Sequence, residues 1–306
     1  MSIELAGDYC VRSLRDFARI LVTMTVIIGL VVVLVCVFGG FLLSGGNLLA
    51  LWHPPELVII AGGAIGSLIL ANPTKVVKSI AAEIPALLKG SPYNKEMYMD
   101  LLSLLFDLFS MARKEGLMSL EAHIEEPDKS AVFTKYPQIL ADHHSIEFMT
   151  DYLRLMVTGA ANAMEMENLM DLELETHHAE GAVPHSSLQV MADGLPGFGI
   201  VAAVMGVVIT MASIDQGPAV IGAKVGAALV GTFVGILLSY GIAGPIAAAM
   251  AHVKADEAKF AEVIKVSLLA SLNGYSPQVA IEFGRKVIFS SERPTFLELE
   301  DYVKRK

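Results

Sequence analysis

Four long apolar runs divide this chain of 306 residues, and none of them contains Asp or Glu in its interior. A helix that crosses the hydrocarbon core of a bilayer needs about 20 apolar residues, within a range of about 17–25. The shortest run, at 57–71, has a buried helix of a soluble domain as its alternative. We predict four transmembrane helices, at 20–43, 54–71, 195–213 and 225–250.

The polar sequence between the second and third runs, 72–193, has the residue spacing of helices. Within Met97–Glu115 apolar side chains recur every three or four residues, and Gly116 stands where such a helix usually ends. The pattern repeats over Ile146–Met170, and no stretch alternates apolar and polar residues as a half-buried strand does. The predicted fold class is all-α: a polytopic membrane protein with four transmembrane helices and a helical domain between spans two and three.

Composition agrees with a chain that is part membrane and part soluble. Apolar residues make up 54% of the sequence and charged residues 18%, whereas soluble domains average about 45–50% and about 25%. The net charge of −10 lies almost entirely outside the four runs. We expect the membrane, and no nucleic acid, among the partners of this chain.

Lysine and arginine positions predict the orientation in the membrane. Basic residues precede the first run and follow the second and fourth, while the short links within each pair of runs hold only Lys224. Positive charges close to a span stay on the cytoplasmic side. We therefore expect a cytoplasmic location for the N-terminal extension 1–19, which has the spacing of an amphipathic helix, for the 72–193 domain and for the C-terminal segment 251–306.

Two pairs of adjacent histidines are the candidate metal ligands, His143–His144 and His177–His178. Neighbouring residues of a helix point about 100° apart, so one pair chelates a single ion poorly, and the H-E-x-x-H motif is missing. No nucleophile elbow, phosphate loop or dinucleotide fingerprint occurs either. The sequence predicts no metal site, no cofactor and no enzymatic activity.

Prolines and small residues mark the third and fourth runs. Pro196 lies among glycines, where it either starts a helix or serves a mechanical role. Pro245 removes a backbone hydrogen bond and favours a bend, which is either a plain kink or a hinge. Glycines at a spacing of four or five residues suit close contact between helices: Gly222, Gly226, Gly231 and Gly235.

Charged residues of the 72–193 segment allow two interpretations. Arg113 and Lys114 end the first predicted helix, and Glu121 opens an acidic run. Because cations suit a helix C-terminus, a solvated helix end explains them. The alternative is a docking surface, at which complementary charges set register and association rate.

Longer motifs of the chain resemble one known family. The runs at 195–208 (LPGFGIVAAVMGVV) and 230–241 (VGTFVGILLSYG), the latter followed by Pro245, resemble the third and fourth spans of motility protein A, a flagellar motor stator family of the MotA/TolQ/ExbB superfamily. Further matches to that family lie at 97–102, 136–142, 272–277, 281–286 and 290–294.

The resemblance implies a stator subunit in the bacterial inner membrane, self-associated as a pentamer around a dimer of motility protein B. That partner would supply a transmembrane Asp, which the four runs lack, and a peptidoglycan anchor. Pro196 and Pro245 match the two mechanistic prolines of the family, and Thr232 matches the threonine that lines the ion path. Arg113 and Glu121 match the charged pair that faces the rotor switch protein of the C-ring.

The residue at position 203 bears on the coupling ion. Sodium-driven members of the family, as the resemblance implies, have a threonine where Ala203 stands. Sodium that sheds its water needs several oxygen ligands, whereas a proton needs only the carboxylate, so we expect H+ rather than Na+. Two other functions stay open at this point: an energiser of outer-membrane transport, whose members usually have three spans, and a structural membrane scaffold.

Overall fold

The chain folds into α-helices, with no strand in the part that the structure describes, which confirms the predicted all-α class. The computed structural model describes residues 26–88, 90–159, 162–212, 215 and 217–305. The 1–19 extension and the first six residues of the predicted span 20–43 lie outside the described residues.

The helices differ greatly in length. Those of the described chain are α1 (Val26–Leu43), α2 (Pro54–Ala71), α3 (Thr74–Leu87), α4 (Lys95–Glu115), α5 (Glu121–Glu125), α6 (Pro137–Leu140), α7 (His143–Thr158), α8 (Ala163–Met211), α9 (Pro218–Leu238), α10 (Gly244–Leu272), α11 (Pro277–Val287) and α12 (Phe296–Arg305). A π-helical turn, Ser239–Ala243, joins α9 to α10.

Four segments of the described chain are long and apolar enough to cross a membrane, which confirms the predicted number of spans. They are α1, α2, a part of α8, and a part of the helical stretch Pro218–Leu272 that contains α9 and α10. The third predicted span, 195–213, is therefore not a separate helix: its residues 195–211 are the last part of α8, which begins at Ala163.

The helices divide into two compact units. Among the described residues, the span unit contains those up to Gly90 and those within Gly181–Val253, and the polar unit contains those within Ser91–Glu180 and from Lys254 onward. This division does not follow the predicted segment 72–193. The reason is packing: Val76 and Ile80 of α3 form an apolar cluster with Leu188 and Met250 of the span unit.

Helix α2 lies against α8 in the span unit. Ile60 and Ala64 are buried with Leu195 and Ala202 in one small apolar cluster. The contact is close, since a Cβ added at Gly63 would lie 2.5 Å from the ring of Phe198. Glycine at this position therefore lets the ring of Phe198 pack against the backbone of α2.

Helix α4 forms the centre of the polar unit, as its spacing predicts. The predicted apolar face is buried: Tyr98, Leu101, Leu102, Leu105, Leu108 and Phe109. The helix ends at Gly116, whose φ of +89° is available to glycine at little cost. From the C-terminal segment, Phe260 stacks against Tyr98 with ring centroids 5.3 Å apart.

The prediction of one helical pattern over Ile146–Met170 was wrong. Helix α7 ends at Thr158, and Gly159 adopts the left-handed conformation, with φ +64° and ψ +20°. A left-handed glycine at this position is a common helix terminator. The apolar periodicity continues into α8 and obscures the break, although Gly159 and the capping pair Asn162 and Glu165 mark it in the sequence.

Candidate functional site

Helices α8 and α9 approach each other at backbone distance. A Cβ added at Gly199 would lie 2.9 Å from the carbonyl oxygen of Gly231, and one added at Gly235 would lie 2.8 Å from the carbonyl oxygen of Leu195. Real Cβ atoms do not tolerate such distances to backbone, so only glycine fits. We name this contact the glycine seam; it comprises Gly199, Ala202 and Gly206 of α8 and Ala228, Gly231 and Gly235 of α9.

The seam confirms only half of the predicted glycine stripe on α9. Gly231 and Gly235 contact α8, but a Cβ at Gly222 or Gly226 would meet nothing within 4 Å. Ala228 takes the next position, where its Cβ would lie 2.8 Å from a Cβ added at Gly206. Sequence reasoning missed these two positions, although the spacing of seven from 199 to 206 and from 228 to 235 carries the signal.

Three of the predicted site residues lie beside the seam. Pro196 is inside α8, one turn before Gly199, so the interpretation that it starts a helix was wrong. Ala203 presents its backbone nitrogen, and Thr232 its Cα, to the contact between α8 and α9. All three are half-buried.

The hydroxyl of Thr232 makes no hydrogen bond within the described chain. A helical threonine commonly donates to the carbonyl four residues earlier, as Thr210 does to Gly206 at 2.8 Å. The Thr232 hydroxyl is thus available to a group outside the described residues.

Pro245 lies elsewhere, immediately after the π-helical turn, and takes no part in the seam contacts. Its ring has no N–H to donate and clashes with the carbonyl four residues earlier, so a regular α-turn cannot form there. The turn Ser239–Ala243 widens instead, and the Gly244 N–H donates to Ser239, five residues back. The predicted bend is therefore a π-bulge, a feature frequent at functional sites.

Most of the apolar surface of the spans is not covered by the described residues. No residue of the α1 window is buried. Along α8 the side chains of Ile200, Val204 and Val208 are each more than half exposed, as is Leu229 of α9. Surfaces of this extent need lipid or another chain to cover them.

The described spans contain no carboxylate at depth. In α1, α2, residues 195–211 and α9, the single acidic side chain is Glu56, in the first turn of α2.

Arg113 and Glu121 are both exposed on the polar unit. Arg113 lies in the last turn of α4 and Glu121 is the first residue of α5. Neither forms an ion pair within the described chain, whereas Glu125, at the end of α5, accepts a hydrogen bond from Arg154 Nε at 2.9 Å. That hydrogen bond raises the pKa of Arg154. The exposed side chain of Met118 lies between the two unpaired charges in sequence.

Comparisons with known proteins agree on one family. The model for the motility protein A N-terminal domain matches residues 27–116, and that for the MotA/TolQ/ExbB proton channel family matches residues 141–274. Motility protein A of Escherichia coli strain K12 is 50% identical over 281 residues, which cover 92% of this chain and 95% of the relative. Chemotaxis protein LafT of Vibrio parahaemolyticus is 44% identical over 277 residues, 90% of this chain and 97% of the relative.

Solved structures share the fold. The flagellar MotAB stator complex from Bacillus subtilis matches with a TM-score of 0.71 at 25% identity, over 88% of this chain and 98% of that chain. The structure of C. jejuni MotAB matches with a TM-score of 0.73 at 21% identity, over 87% and 96%.

The seam predicts opposite effects for two glycines of α9. Gly235→Ala places a Cβ against backbone of α8 and should destabilise the protein by about 1–3 kcal/mol. Gly226→Ala meets open space and should leave stability equal or raise it by up to about 1 kcal/mol, because alanine favours helix. Thermal unfolding of the purified protein in detergent measures both. Equal unfolding temperatures for Gly235→Ala and the wild type would contradict the seam.

Proposed function

Because the chain belongs to the motility protein A family, we propose that it is a stator subunit of the bacterial flagellar motor, which acts with a motility protein B partner. The observation that carries this proposal is the 50% identity to motility protein A of E. coli over 92% of the chain. The proposed role is ion conduction and force generation, with no enzymatic chemistry.

The ion path forms where the partner's carboxylate meets the α8–α9 pair. The missing carboxylate in the spans and the free Thr232 hydroxyl support this arrangement. At low dielectric the charged form of a carboxylate is disfavoured, so its pKa rises and protons bind and leave it in the working range. Each change of charge on this carboxylate alters which arrangement of the surrounding helices is more stable.

Pro196 and Pro245 serve as the positions at which the helices respond. A proline inside a helix leaves a carbonyl without its backbone donor, and the π-bulge before Pro245 is a second local weakness. The glycine seam, in contrast, keeps α8 and α9 together. Helices α8 and α10 each contain residues of both units, which gives a covalent route from the span unit to the polar unit.

The protein resides in the bacterial inner membrane, with both termini and the polar unit in the cytoplasm. Lys75 and Lys78 after α2, and Lys254 and Lys259 in α10, support this orientation by their charge. The uncovered apolar faces of α1, α8 and α9 support an assembly, which we propose is a pentamer around a partner dimer.

Arg113 and Glu121 form the surface that contacts the rotor switch protein of the C-ring. Their exposure and their lack of an ion pair within the described chain leave both charges available to a partner. Complementary charges at such a surface set register and rate of engagement more than affinity.

Proline replacements test the mechanical role. Pro196→Ala and Pro245→Ala restore helical hydrogen bonding, so they should leave the protein assembled but abolish most swimming in a strain without its own stator. Pro184, also inside α8, provides the matched control: Pro184→Ala should swim. Membrane levels and swimming speed are the measurements. Normal swimming of both Pro196→Ala and Pro245→Ala would refute the mechanism. If the wild-type protein restores outer-membrane transport but no motility, the transport energiser becomes the better candidate.

Thr232 and the coupling ion are tested together. Thr232→Val keeps the volume but lacks the hydroxyl and should stop swimming, whereas Thr232→Ser should retain it. With Ala203 in the path, we propose proton coupling, so wild-type speed should fall when a protonophore collapses the proton gradient and stay constant when external sodium changes. Swimming that persists without a proton gradient and follows sodium would overturn the proton assignment.

The rotor surface is tested by charge reversal. Arg113→Glu should reduce swimming several-fold with unchanged stability, since the side chain is exposed and unpaired. Lys129→Glu reverses another exposed charge of the polar unit, one that pairs with Glu126 at 2.9 Å, and should leave swimming intact. If the two variants behave alike, Arg113 has no special role at the rotor.

A further inference from the structure

Three helices of the polar unit bring two imidazoles and a carboxylate together. His144 comes from the first turn of α7, His177 from α8 and Glu257 from α10, and one ligand atom of each lies within 4.8 Å of the others. The Nε2 atoms of His144 and His177 are 3.3 Å apart. His144 is exposed, while His177 and Glu257 are partly buried, so solvent and ions reach the group from one side.

We propose that this group, the His144–His177–Glu257 site, binds a divalent transition-metal ion, with zinc as the best fit. Imidazole nitrogen and carboxylate oxygen are regular zinc ligands, and a site with three protein ligands keeps one position for water. For Zn–N bonds of about 2.0–2.1 Å, two corners of the tetrahedron are roughly 3.3 Å apart. The observed distance between the Nε2 atoms equals that value.

The competing explanation of that distance is a hydrogen bond between two neutral rings. It requires one Nε2 to carry a proton and the other to accept it, and it gives Glu257 no part. A metal ion would use all three groups, because two unprotonated nitrogens and a carboxylate oxygen can each donate a lone pair to it.

The surroundings of the site favour a cation. A cleft of about 280 Å³ lies beside it, and its described lining includes Glu147, Asp151 and Glu173 but no lysine or arginine. Outside the cleft, Lys254 Nζ donates to Glu257 Oε2 at 2.9 Å. The second oxygen of Glu257 accepts no hydrogen bond within the described chain, so one carboxylate oxygen is available to the ion.

A bound ion would link α7, α8 and α10 within the polar unit. Because such a site does not exist in the unfolded chain, the ion stabilises the folded state by an amount that grows with the logarithm of its concentration above the Kd. Mg²⁺ should have no such effect, because it prefers octahedral oxygen ligands. The proposal does not depend on the stator function.

Zinc titration of the full chain, purified with its partner in detergent without a polyhistidine tag and stripped with a chelator, tests the site. Competition with a chromophoric chelator should show one zinc per chain at this site, and the unfolding temperature should rise with Zn²⁺ but not with Mg²⁺. His144→Ala, His177→Ala and Glu257→Gln should each weaken zinc binding at least about tenfold. Loss of a residue that only hydrogen-bonds to a metal ligand already lowers metal affinity by about 10–100-fold.

Two neighbouring histidines provide the controls. His143→Ala and His178→Ala remove an exposed imidazole one position away and should bind zinc as the wild type does. All variants should unfold at the wild-type temperature without zinc, which separates a lost ligand from a damaged fold. Binding that is absent in the wild type, or that survives the loss of both His144 and His177, would overturn the site and leave the hydrogen-bonded pair.

Discussion

Close contact between the backbones of α8 and α9 is the constraint on which the span unit depends. In a bilayer, lipid tails are as apolar as the side chains they replace, so helices associate through van der Waals packing and polar bonds rather than through hydrophobic burial. Gly199, Gly231 and Gly235 make that packing possible, because each would otherwise place a Cβ against backbone or a neighbouring Cβ. The seam keeps the two helices together, and Pro196 and Thr232 take their positions from it.

The polar unit is stabilised by the burial of large apolar side chains rather than by close backbone contact. Its core is formed by large side chains such as Leu101, Leu105 and Phe260, which are fully buried, and the hydrophobic effect stabilises it as in any soluble domain. The C-terminal segment completes this core, since Tyr302 donates a hydrogen bond to Asp100 at 2.7 Å across 202 positions of sequence. One chain thus contains a unit that needs a membrane and a unit that does not.

The span unit leaves much of its apolar surface uncovered. Apolar side chains along α8 and α9 are exposed, so lipid or another chain has to cover them. The described spans hold no carboxylate at depth, and under the proposed stator function a partner helix supplies it.

Local patterns of the sequence were enough to predict the all-α class, the four spans and the buried face of α4, because apolar length and helical spacing act over a few residues. The family was also recognisable from its motifs at 195–208 and 230–241. The break at Gly159 was not predicted, because apolar periodicity continues on both sides of it.

Tertiary structure decided which residues meet. Of four glycines with the right spacing on α9, packing placed Gly231 and Gly235 against α8, whereas a Cβ at Gly222 or Gly226 would meet nothing within 4 Å. The histidines were rejected as metal ligands because adjacent residues of one helix diverge, yet the fold brings His144 of α7 to His177 of α8. Spacing along one helix determines which face a residue occupies, whereas only the packing of separate helices determines what that face contacts.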